Sequence, residues 1–375
     1  MTRYHLLGRT GLRVSPIALG AMTFGDGGWH AGEDTARSLF QHYLESGGNF
    51  VDTADIYAGG RSEELLGRFM QETASRERLV VATKFTAATT PGDPNSGGNG
   101  RKNILASLDA SLRRLQTDYV DLYWLHMWDA VTPVDEVMST FDALVRSGKV
   151  RTVGLSNVPA WYAAKAQSVA QARGWEPVAA LQLEYSLVER AIEREHIPAA
   201  ADLGMGVVPW SPLANGLLTG KYTPQRSAPP KGSGRLAAME TDGTLEHTAA
   251  AGIPTFTKLF TDRTWRIVEL LTQVAGEIGR SPAQVALNWV TRRPAVVSTL
   301  VGATSVAQLE DNLRAVEFEI PHDLADRLEE AGRPEPAYPY YFSGPATQPM
   351  INGGPASVRS PARAQAQAQM PRWDG

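Results

Sequence analysis

Eight short apolar runs alternate with amphipathic stretches along most of the 375-residue chain. Between the runs, apolar residues recur every three or four positions, as at Val134, Val137 and Phe141, which is the spacing of a helix with one buried face. This alternation of strand and helix predicts a parallel sheet covered by helices. The predicted strands are IALG (17–20), NFVDT (49–53), LVVAT (79–83), YVDLYWL (119–125), VRTVGL (150–155), VAALQL (178–183), GVVPW (206–210) and VVSTLV (296–301).

Eight strand–helix units fit an α/β fold of the (β/α)₈ TIM barrel type better than an open sheet. An open, doubly wound sheet is the second alternative. Its dinucleotide-binding fingerprint is missing after the first run, where GAMTFGDGG leads into a loop rather than directly into a helix. Residues 4–14 predict a short β-hairpin around the turn from Gly8 to Gly11, placed before the barrel.

Two segments interrupt the alternation of strands and helices. Residues 214–262 contain four prolines and little periodicity, which predicts a long loop after strand seven, either a lid or binding loop or a disordered one. Residues 343–375 are low in complexity and rich in Pro, Gly, Gln and Ala, which predicts a disordered tail. The barrel domain is therefore expected to span residues 1–342.

Charge and composition restrict the classes of partner and compartment. A formal net charge of -4 and the lack of any basic block longer than a pair argue against nucleic acid and favour a small molecule. The N-terminal residues mix Arg and Gly with apolar side chains, which predicts neither a signal peptide nor a membrane span, and hence a cytoplasmic protein. The absence of cysteine excludes a thiolate nucleophile and a Cys-ligated metal. The oligomeric state stays open.

Four titratable residues lie at or just beyond the ends of the predicted strands two, three and four. Each has a structural explanation when taken singly: a helix cap, a rim residue, a solvated charge or a partner of the backbone. Because consecutive strands of a barrel converge on one mouth, all four are expected within reach of one substrate. They are Asp52, Tyr57, Lys84 and His126.

The four side chains have complementary acid–base chemistry. A phenol is a weak acid at neutral pH, but a neighbouring ammonium such as that of Lys84 favours phenolate and makes proton donation by Tyr57 easier. A lysine in a partly desolvated mouth needs a counter-ion, which Asp52 can provide. His126 can orient a carbonyl oxygen or relay a proton.

The motifs DTADIY, VATKF and DLYWLH resemble the Asp-Tyr-Lys-His tetrad of the aldo-keto reductase superfamily, and the resemblance spans roughly residues 4–330. Within the superfamily the chain resembles the bacterial-type NADP-dependent members, which are related to members like the potassium-channel β subunits. The resemblance implies reduction of an aldehyde or ketone by NADPH without a metal. It also implies that Tyr57 is the general acid, that Lys84 and Asp52 tune it, and that His126 orients the substrate.

The segments GLSN, LQLEY, PWSPLANGLLTGKY and VGATSVAQLEDN resemble cofactor motifs of the same family. The resemblance implies that Trp210 stacks on the nicotinamide ring. Residues implied to bind the nicotinamide carboxamide are Ser156, Asn157 and Gln182. Residues implied to meet the pyrophosphate are Ser211, Leu213 and Lys221. Residues matching the adenosine-phosphate motif are Gly302, Thr304, Gln308, Asp311 and Asn312.

One position departs from the NADP-binding pattern. Many relatives carry a basic residue at or near the position of Thr304, and this chain does not. Arg235 resembles an arginine that closes over the cofactor in related loops, and it is the candidate for the missing charge. A solvated loop arginine is the alternative interpretation of Arg235.

Two other functions compete with carbonyl reduction. A cofactor-binding regulatory subunit, like the potassium-channel β subunits, would need a docking module, and here a short hairpin precedes the barrel. A metal-dependent hydrolase would need several ligands at strand ends, where His126 is the one histidine. The pocket walls are predicted from Phe24, Trp29, Trp128 and the 214–262 loop, which suits aromatic or apolar carbonyls and also sugars.

Overall fold

A computed structural model describes residues 3–222, 234, 236, 239, 243, 257–335, 337–343, 347–351 and 353. Its first two strands pair antiparallel, and they are β1 (His5–Leu6) and β2 (Arg13–Val14). The other eight strands form a single parallel sheet. They are β3 (Ile17–Gly20), β4 (Phe50–Asp52), β5 (Val80–Phe85), β6 (Val120–Leu125), β7 (Val150–Ser156), β8 (Val178–Glu184), β9 (Gly206–Trp210) and β10 (Thr299–Val301).

The helices cover the outside of this sheet and connect its strands. Most of them begin within a few residues of an acidic or capping side chain, and Thr261, Ser281 and Ser305 each cap the helix that follows. The helices are α1 (Glu33–Glu45), α2 (Arg61–Thr73), α3 (Arg101–Leu115), α4 (Val134–Arg146), α5 (Ala160–Arg173), α6 (His196–Leu203), α7 (Asp262–Glu277), α8 (Pro282–Thr291), α9 (Val306–Leu313), α10 (His322–Ala331) and α11 (Gln348–Ile351).

The sheet closes on itself as a barrel. Strand β10 pairs with β3, so that Thr299 lies opposite Ile17, and the order then runs from β3 to β9. Strands β9 and β10 meet through the bridge between Val207 and Val296. The predicted (β/α)₈ barrel and its N-terminal hairpin are thus confirmed. The last strand is shorter than the predicted 296–301. Val296 only bridges to Val207 of β9, and the ladder with β3 begins at Thr299.

The strands are buried on both faces, which explains their nearly continuous apolar sequences. One apolar cluster lies between sheet and helices, and a second fills the barrel interior with residues such as Phe50, Leu122 and Trp124. Leu7 and Val14 of the hairpin belong to the interior cluster. The hairpin therefore seals the end of the barrel at which the strands begin.

A glycine allows the hairpin to lie close to the barrel wall. Gly8 has a φ of +57°, in the left-handed region that other residues adopt at a cost. A Cβ atom at Gly8 would lie 2.2 Å from the carbonyl oxygen of Ala179 in β8. Gly11, in the same turn, has no atom within 4 Å of an added Cβ.

The two segments predicted to interrupt the barrel are described in part. Within 214–262, residues Ala214–Thr219 and Thr257–Leu259 form 3₁₀ helices, and most of 223–256 lies outside the described residues. At the C-terminus, Tyr340–Ser343 and α11 are short helical turns, and 354–375 lies outside the described residues. Among the helices that the structure describes, none is long and apolar enough to cross a bilayer.

We predict that Gly8→Ala destabilises the barrel while Gly11→Ala does not. The added methyl group at position 8 meets a backbone oxygen and forces a left-handed alanine, and together these effects should cost about 2–4 kcal/mol in the free energy of unfolding. Urea denaturation followed by circular dichroism measures the difference. Equal midpoints for the two variants would contradict the tight docking of the hairpin.

Candidate active site

The four titratable residues meet at the end of the barrel opposite the hairpin. Asp52 is the last residue of β4, Lys84 lies near the end of β5, and His126 directly follows β6. Tyr57 begins the short 3₁₀ turn after β4. Neighbouring parallel strands end on the same side of a sheet, and for that reason residues far apart in the sequence share one mouth.

Lys84 is the link between these side chains. It is fully buried, and its Nζ atom donates hydrogen bonds to a carboxylate oxygen of Asp52 and, over 2.7 Å, to the carbonyl oxygen of Thr53. The same Nζ atom donates to the hydroxyl oxygen of Tyr57 over 3.3 Å. Burial lowers the pKa of Lys84, but Asp52 and Tyr57 outweigh burial and raise it above its ordinary value. Lys84 is therefore charged at neutral pH.

Asp52 receives donors on both of its carboxylate oxygens. Lys84 occupies Oδ1, while Oδ2 accepts from Trp124 Nε1 at 2.9 Å and from Gln182 Nε2 at 3.0 Å. Burial raises the pKa of Asp52, and these three donors lower it. The net effect is a raised pKa, with burial as the largest cause, yet the carboxylate bonds to the ammonium of Lys84 and every donor favours its charged form, so we assign it as ionised.

His126 lies beside the tyrosine in its neutral form. Its ring centroid is 5.8 Å from that of Tyr57, and the two rings are nearly perpendicular at 80°. Burial, and secondarily the Lys84 ammonium, lower the pKa of His126 to about 3. Its Nδ1 atom is buried and has no hydrogen-bond partner among the described residues. A neutral imidazole in this position is suited to form a hydrogen bond with a ligand in the mouth.

A cleft of about 1460 Å³ opens at this mouth. Ser156 and Lys84 are fully buried beside it, and Arg235 lies outside the described residues. The predicted site residues that line the cleft are Asp52, Tyr57, His126, Asn157, Gln182, Trp210, Ser211, Leu213, Lys221, Gly302, Thr304, Gln308, Asp311 and Asn312. The structure thus brings the predicted catalytic set and most of the predicted cofactor set to one continuous surface.

One wall of the cleft is built around Asn157. This residue has a φ of +50°, and its side-chain nitrogen donates to the carbonyl oxygen of His126 and to Ser156 Oγ, both over 3.0 Å. Its Oδ1 atom accepts from Trp210 Nε1, also over 3.0 Å. Asn157 therefore fixes the indole of Trp210 relative to His126. A flat indole held at the edge of a cleft suits stacking against a planar ring.

The next part of the cleft follows β9 and contains several backbone positions with positive φ. Ser211 and Asn215 have φ values of 51° and 57°, and the Nδ2 atom of Asn215 is buried without a partner among the described residues. Lys221 lies against Gly234, where an added Cβ would be 2.4 Å from its Nζ atom. An orphaned amide donor and a lysine in one stretch suit an anionic ligand.

The far end of the cleft is formed by the starts of α8 and α9. Ser281 caps α8 and also donates to Asp311 over 2.7 Å, while Gln284 donates to the other Asp311 oxygen over 2.7 Å. The backbone nitrogen of Thr304 donates to the side chain of Gln308. Two helix N-termini and polar side chains at this end fit the phosphates and sugar of a dinucleotide.

Two predicted wall residues, Phe24 and Trp128, are wrong, because neither lines the cleft. Trp128 is partly buried and packs against the apolar cluster between sheet and helices and against Trp161. Phe24 is fully buried and packs edge-on against Phe69 at 6.1 Å, because the turn after β3 directs it toward α2 rather than into the mouth. Trp29 does line the cleft, stacked on His30 with ring centroids 4.3 Å apart.

Trp124 and Ser281 contribute to the site and were not predicted from the sequence. Trp124 lies two residues before His126, and the period-two alternation of a strand was a usable signal that both point inward. Ser281, in the run Ser-Pro-Ala-Gln, shows the signal of a capped helix start.

The comparisons with known proteins agree with this geometry. The model of the Aldo/keto reductase family matches residues 16–333. The chain is 38% identical over 335 residues to an uncharacterized oxidoreductase, YrpG, of Bacillus subtilis, covering 87% of this chain and 94% of that protein. It is 31% identical to norsolorinic acid reductase of Aspergillus flavus, covering 90% of this chain and 84% of that protein. It is also 31% identical to an aryl-alcohol dehydrogenase [NADP(+)] of Phanerodontia chrysosporium, covering 89% and 86%.

The family match extends over the whole barrel, from just before β3 to just beyond α10. It includes the three strand ends, those of β4, β5 and β6, that carry the buried lysine, its carboxylate, the tyrosine and the neutral histidine. The chain therefore belongs to the aldo/keto reductase family of oxidoreductases.

Proposed function

We propose that this protein reduces the carbonyl group of an aldehyde or ketone with NADPH, and that Tyr57 is the general acid. The observation that carries the proposal is the 3.3 Å hydrogen bond from Lys84 Nζ to the Tyr57 hydroxyl, at the edge of a cleft large enough for a dinucleotide. A phenol held against a buried cation is suited to give up its proton to a developing alkoxide.

Tyr57 donates its proton to the carbonyl oxygen as that oxygen gains negative charge. The phenolate that remains is stabilised by the ammonium of Lys84. Asp52 keeps this ammonium charged inside the protein, and the donors from Trp124 and Gln182 keep Asp52 from moving. Asp52 thus acts on Lys84 and Lys84 acts on Tyr57, which is the residue that contacts the substrate.

His126 orients the carbonyl group. Because its imidazole is neutral, it can donate one hydrogen bond to the carbonyl oxygen without competing with Tyr57 as an acid. A charged imidazolium would be the stronger acid and would also repel Lys84. The low pKa of His126 therefore supports a mechanism in which His126 orients the carbonyl group and Tyr57 donates the proton.

The residues along the cleft fit NADPH in an extended position. Trp210 would stack on the nicotinamide ring, and Ser156, Asn157 and Gln182 would hold its carboxamide. The pyrophosphate would meet Ser211, Leu213 and Lys221. The adenosine end would meet Gly302, Thr304, Gln308, Asp311 and Asn312, with Arg235 as the candidate cation for the 2′-phosphate. When bound, NADPH supplies the hydride that adds to the carbonyl carbon.

The substrate is proposed to be an aromatic or otherwise apolar carbonyl compound. Two relatives carry names for enzymes of that kind, norsolorinic acid reductase and aryl-alcohol dehydrogenase. Within this chain, the stacked pair of Trp29 and His30 gives the cleft an aromatic wall on the β3 side. Flat rings of this type favour a planar apolar ligand.

We predict that Tyr57→Phe lowers kcat for an aryl aldehyde by at least about 100-fold and leaves NADPH affinity unchanged, because it removes one acidic hydroxyl and little volume. Steady-state kinetics and a fluorescence titration with NADPH measure the two quantities. Tyr119→Phe is the matched control, since Tyr119 precedes β6 at the opposite end of the barrel. A Tyr57→Phe enzyme that keeps most of its turnover would exclude Tyr57 as the acid.

We predict that the imidazole of His126 does not titrate between pH 5 and 8. Its pKa is lowered to about 3, so the ring is neutral throughout this range and gains a proton only far below it. Histidine-selective NMR over this pH range measures the titration, with His126→Gln to assign the signal and free imidazole as a titrating reference. A midpoint between pH 5.5 and 7.5 would show that burial and Lys84 do not hold the ring neutral.

We predict tighter binding of NADPH than of NADH, and a loss of this preference in Arg235→Ala. Thr304 provides no charge for a 2′-phosphate, so the preference should depend on Arg235. Quenching of tryptophan fluorescence, with Trp210 as the expected reporter, gives both affinities. An NADH affinity equal to that for NADPH in the unmodified protein would refute the assignment of the cofactor.

A further inference from the structure

Two tryptophans beside the cleft form a right-angled pair that the mechanism does not use. Trp128 lies two residues beyond His126, and Trp161 lies four residues beyond Asn157, at the start of α5. Their ring centroids are 5.7 Å apart and their planes meet at 88°. Trp161 keeps 55% of its surface exposed, although it is one of the largest apolar side chains. We call this pair the tryptophan corner.

The tryptophan corner adjoins the cleft through the backbones of His126 and Asn157, and neither indole is itself part of the cleft lining. The backbone nitrogen of Trp128 donates to the carbonyl oxygen of Asn157 over 3.3 Å, and Asn157 Nδ2 donates to the carbonyl oxygen of His126. Both His126 and Asn157 line the cleft. Two residues of chain span at most about 7 Å, so the backbone of Trp128 lies within that distance of the backbone of His126.

Hydrogen bonds hold the loop that carries Trp128 in a fixed shape. Asp129 accepts from the backbone nitrogens of Val131 and Thr132 and from the Thr132 hydroxyl, at 3.1, 3.0 and 2.6 Å. It also accepts from the backbone nitrogen of Asn99 over 2.8 Å. The position of Trp128 is therefore set before any ligand arrives, which reduces the entropy lost on binding.

The same hydrogen bonds consume the polar groups of the loop that carries Trp128. The four donors to Asp129 use its two oxygens, and Asn99 Nδ2 donates to the carbonyl oxygen of Met127. Tyr162 packs against both indoles, and its hydroxyl is buried without a hydrogen-bond partner among the described residues. The exposed side chains next to the corner are apolar, with Met127 42% and Val131 81% exposed. A sugar would need hydrogen-bond partners for its hydroxyl groups, whereas a flat apolar ring would not. The corner therefore favours a planar apolar ligand over a carbohydrate.

We propose that the tryptophan corner is an outer substrate subsite, which takes the second ring of a planar two-ring carbonyl compound while the carbonyl group lies at Tyr57. In a right-angled pair, such a ring stacks on the face of one indole and meets the edge of the other, the two geometries that aromatic rings prefer. This inference rests on the proposed reduction of carbonyl compounds, and it assigns to Trp161 the selection of substrate length.

The kinetic test compares 4-phenylbenzaldehyde with benzaldehyde. In Trp161→Ala, the ratio of kcat/KM for the two-ring over the one-ring aldehyde should fall about tenfold, a change of about 1.4 kcal/mol, through KM rather than kcat, because the stacking contact of the second ring is lost. Trp161→Phe should restore most of the ratio, because a smaller ring keeps the stacking surface. Trp175→Ala, at the other end of α5, is the matched control and should keep the ratio. An unchanged ratio in Trp161→Ala overturns the subsite.

A binding test separates the subsite from the reaction. The enzyme saturated with NADPH is titrated calorimetrically with 4-phenylbenzyl alcohol and with benzyl alcohol. Tighter binding of the two-ring alcohol that is lost in Trp161→Ala supports the subsite, whether or not the aldehydes are reduced. A failure to reduce either aldehyde would reject the proposed function and leave the binding result standing. Equal binding of the two alcohols, or the same preference in Trp161→Ala, overturns the subsite.

Discussion

The buried ion pair between Lys84 and Asp52 is the interaction on which the active site depends. Removing two charges from water is expensive, and hydrogen bonds to four further groups compensate that cost. Lys84 bonds to Asp52, Thr53 and Tyr57, and Asp52 also accepts from Trp124 and Gln182. These groups come from the ends of β4, β5, β6 and β8, so the pair ties half of the barrel mouth together. The arrangement that activates the tyrosine is therefore also a structural anchor.

The barrel was predictable because its strands are short, apolar and rich in branched residues. Both IALG and GVVPW match observed strands residue for residue, since each is buried on both faces and ends at a turn. The start of the last strand was predicted less accurately. Val296 forms a single bridge and the ladder begins at Thr299, a difference set by where β3 lies in space and not by the local sequence.

The residues of the site could be predicted where the order of the strands alone decides which side chains become neighbours. Asp52, Lys84 and His126 converge because parallel strands end together. Lys84 donates to Asp52 and Tyr57, and the ring of His126 lies against that of Tyr57. The direction of side chains in irregular turns was not predictable in the same way. Phe24 turns into the core, and Trp161 stays exposed at the start of a helix with no periodic signal to mark it. Both outcomes depend on packing between segments that are distant in the sequence.

The seam between β3 and β10 has a consequence for how the chain is made. Ile17 pairs with Thr299, so one edge of β3 has no partner strand until nearly the whole domain has been synthesised. At a synthesis rate of about 5–20 residues per second, that interval is roughly 15 to 60 s. During it, β3 presents unpaired backbone groups and apolar side chains to the cell. The nascent barrel is thus most vulnerable to aggregation at its N-terminal edge, and chaperone binding to the first strand would protect it until the last strand arrives.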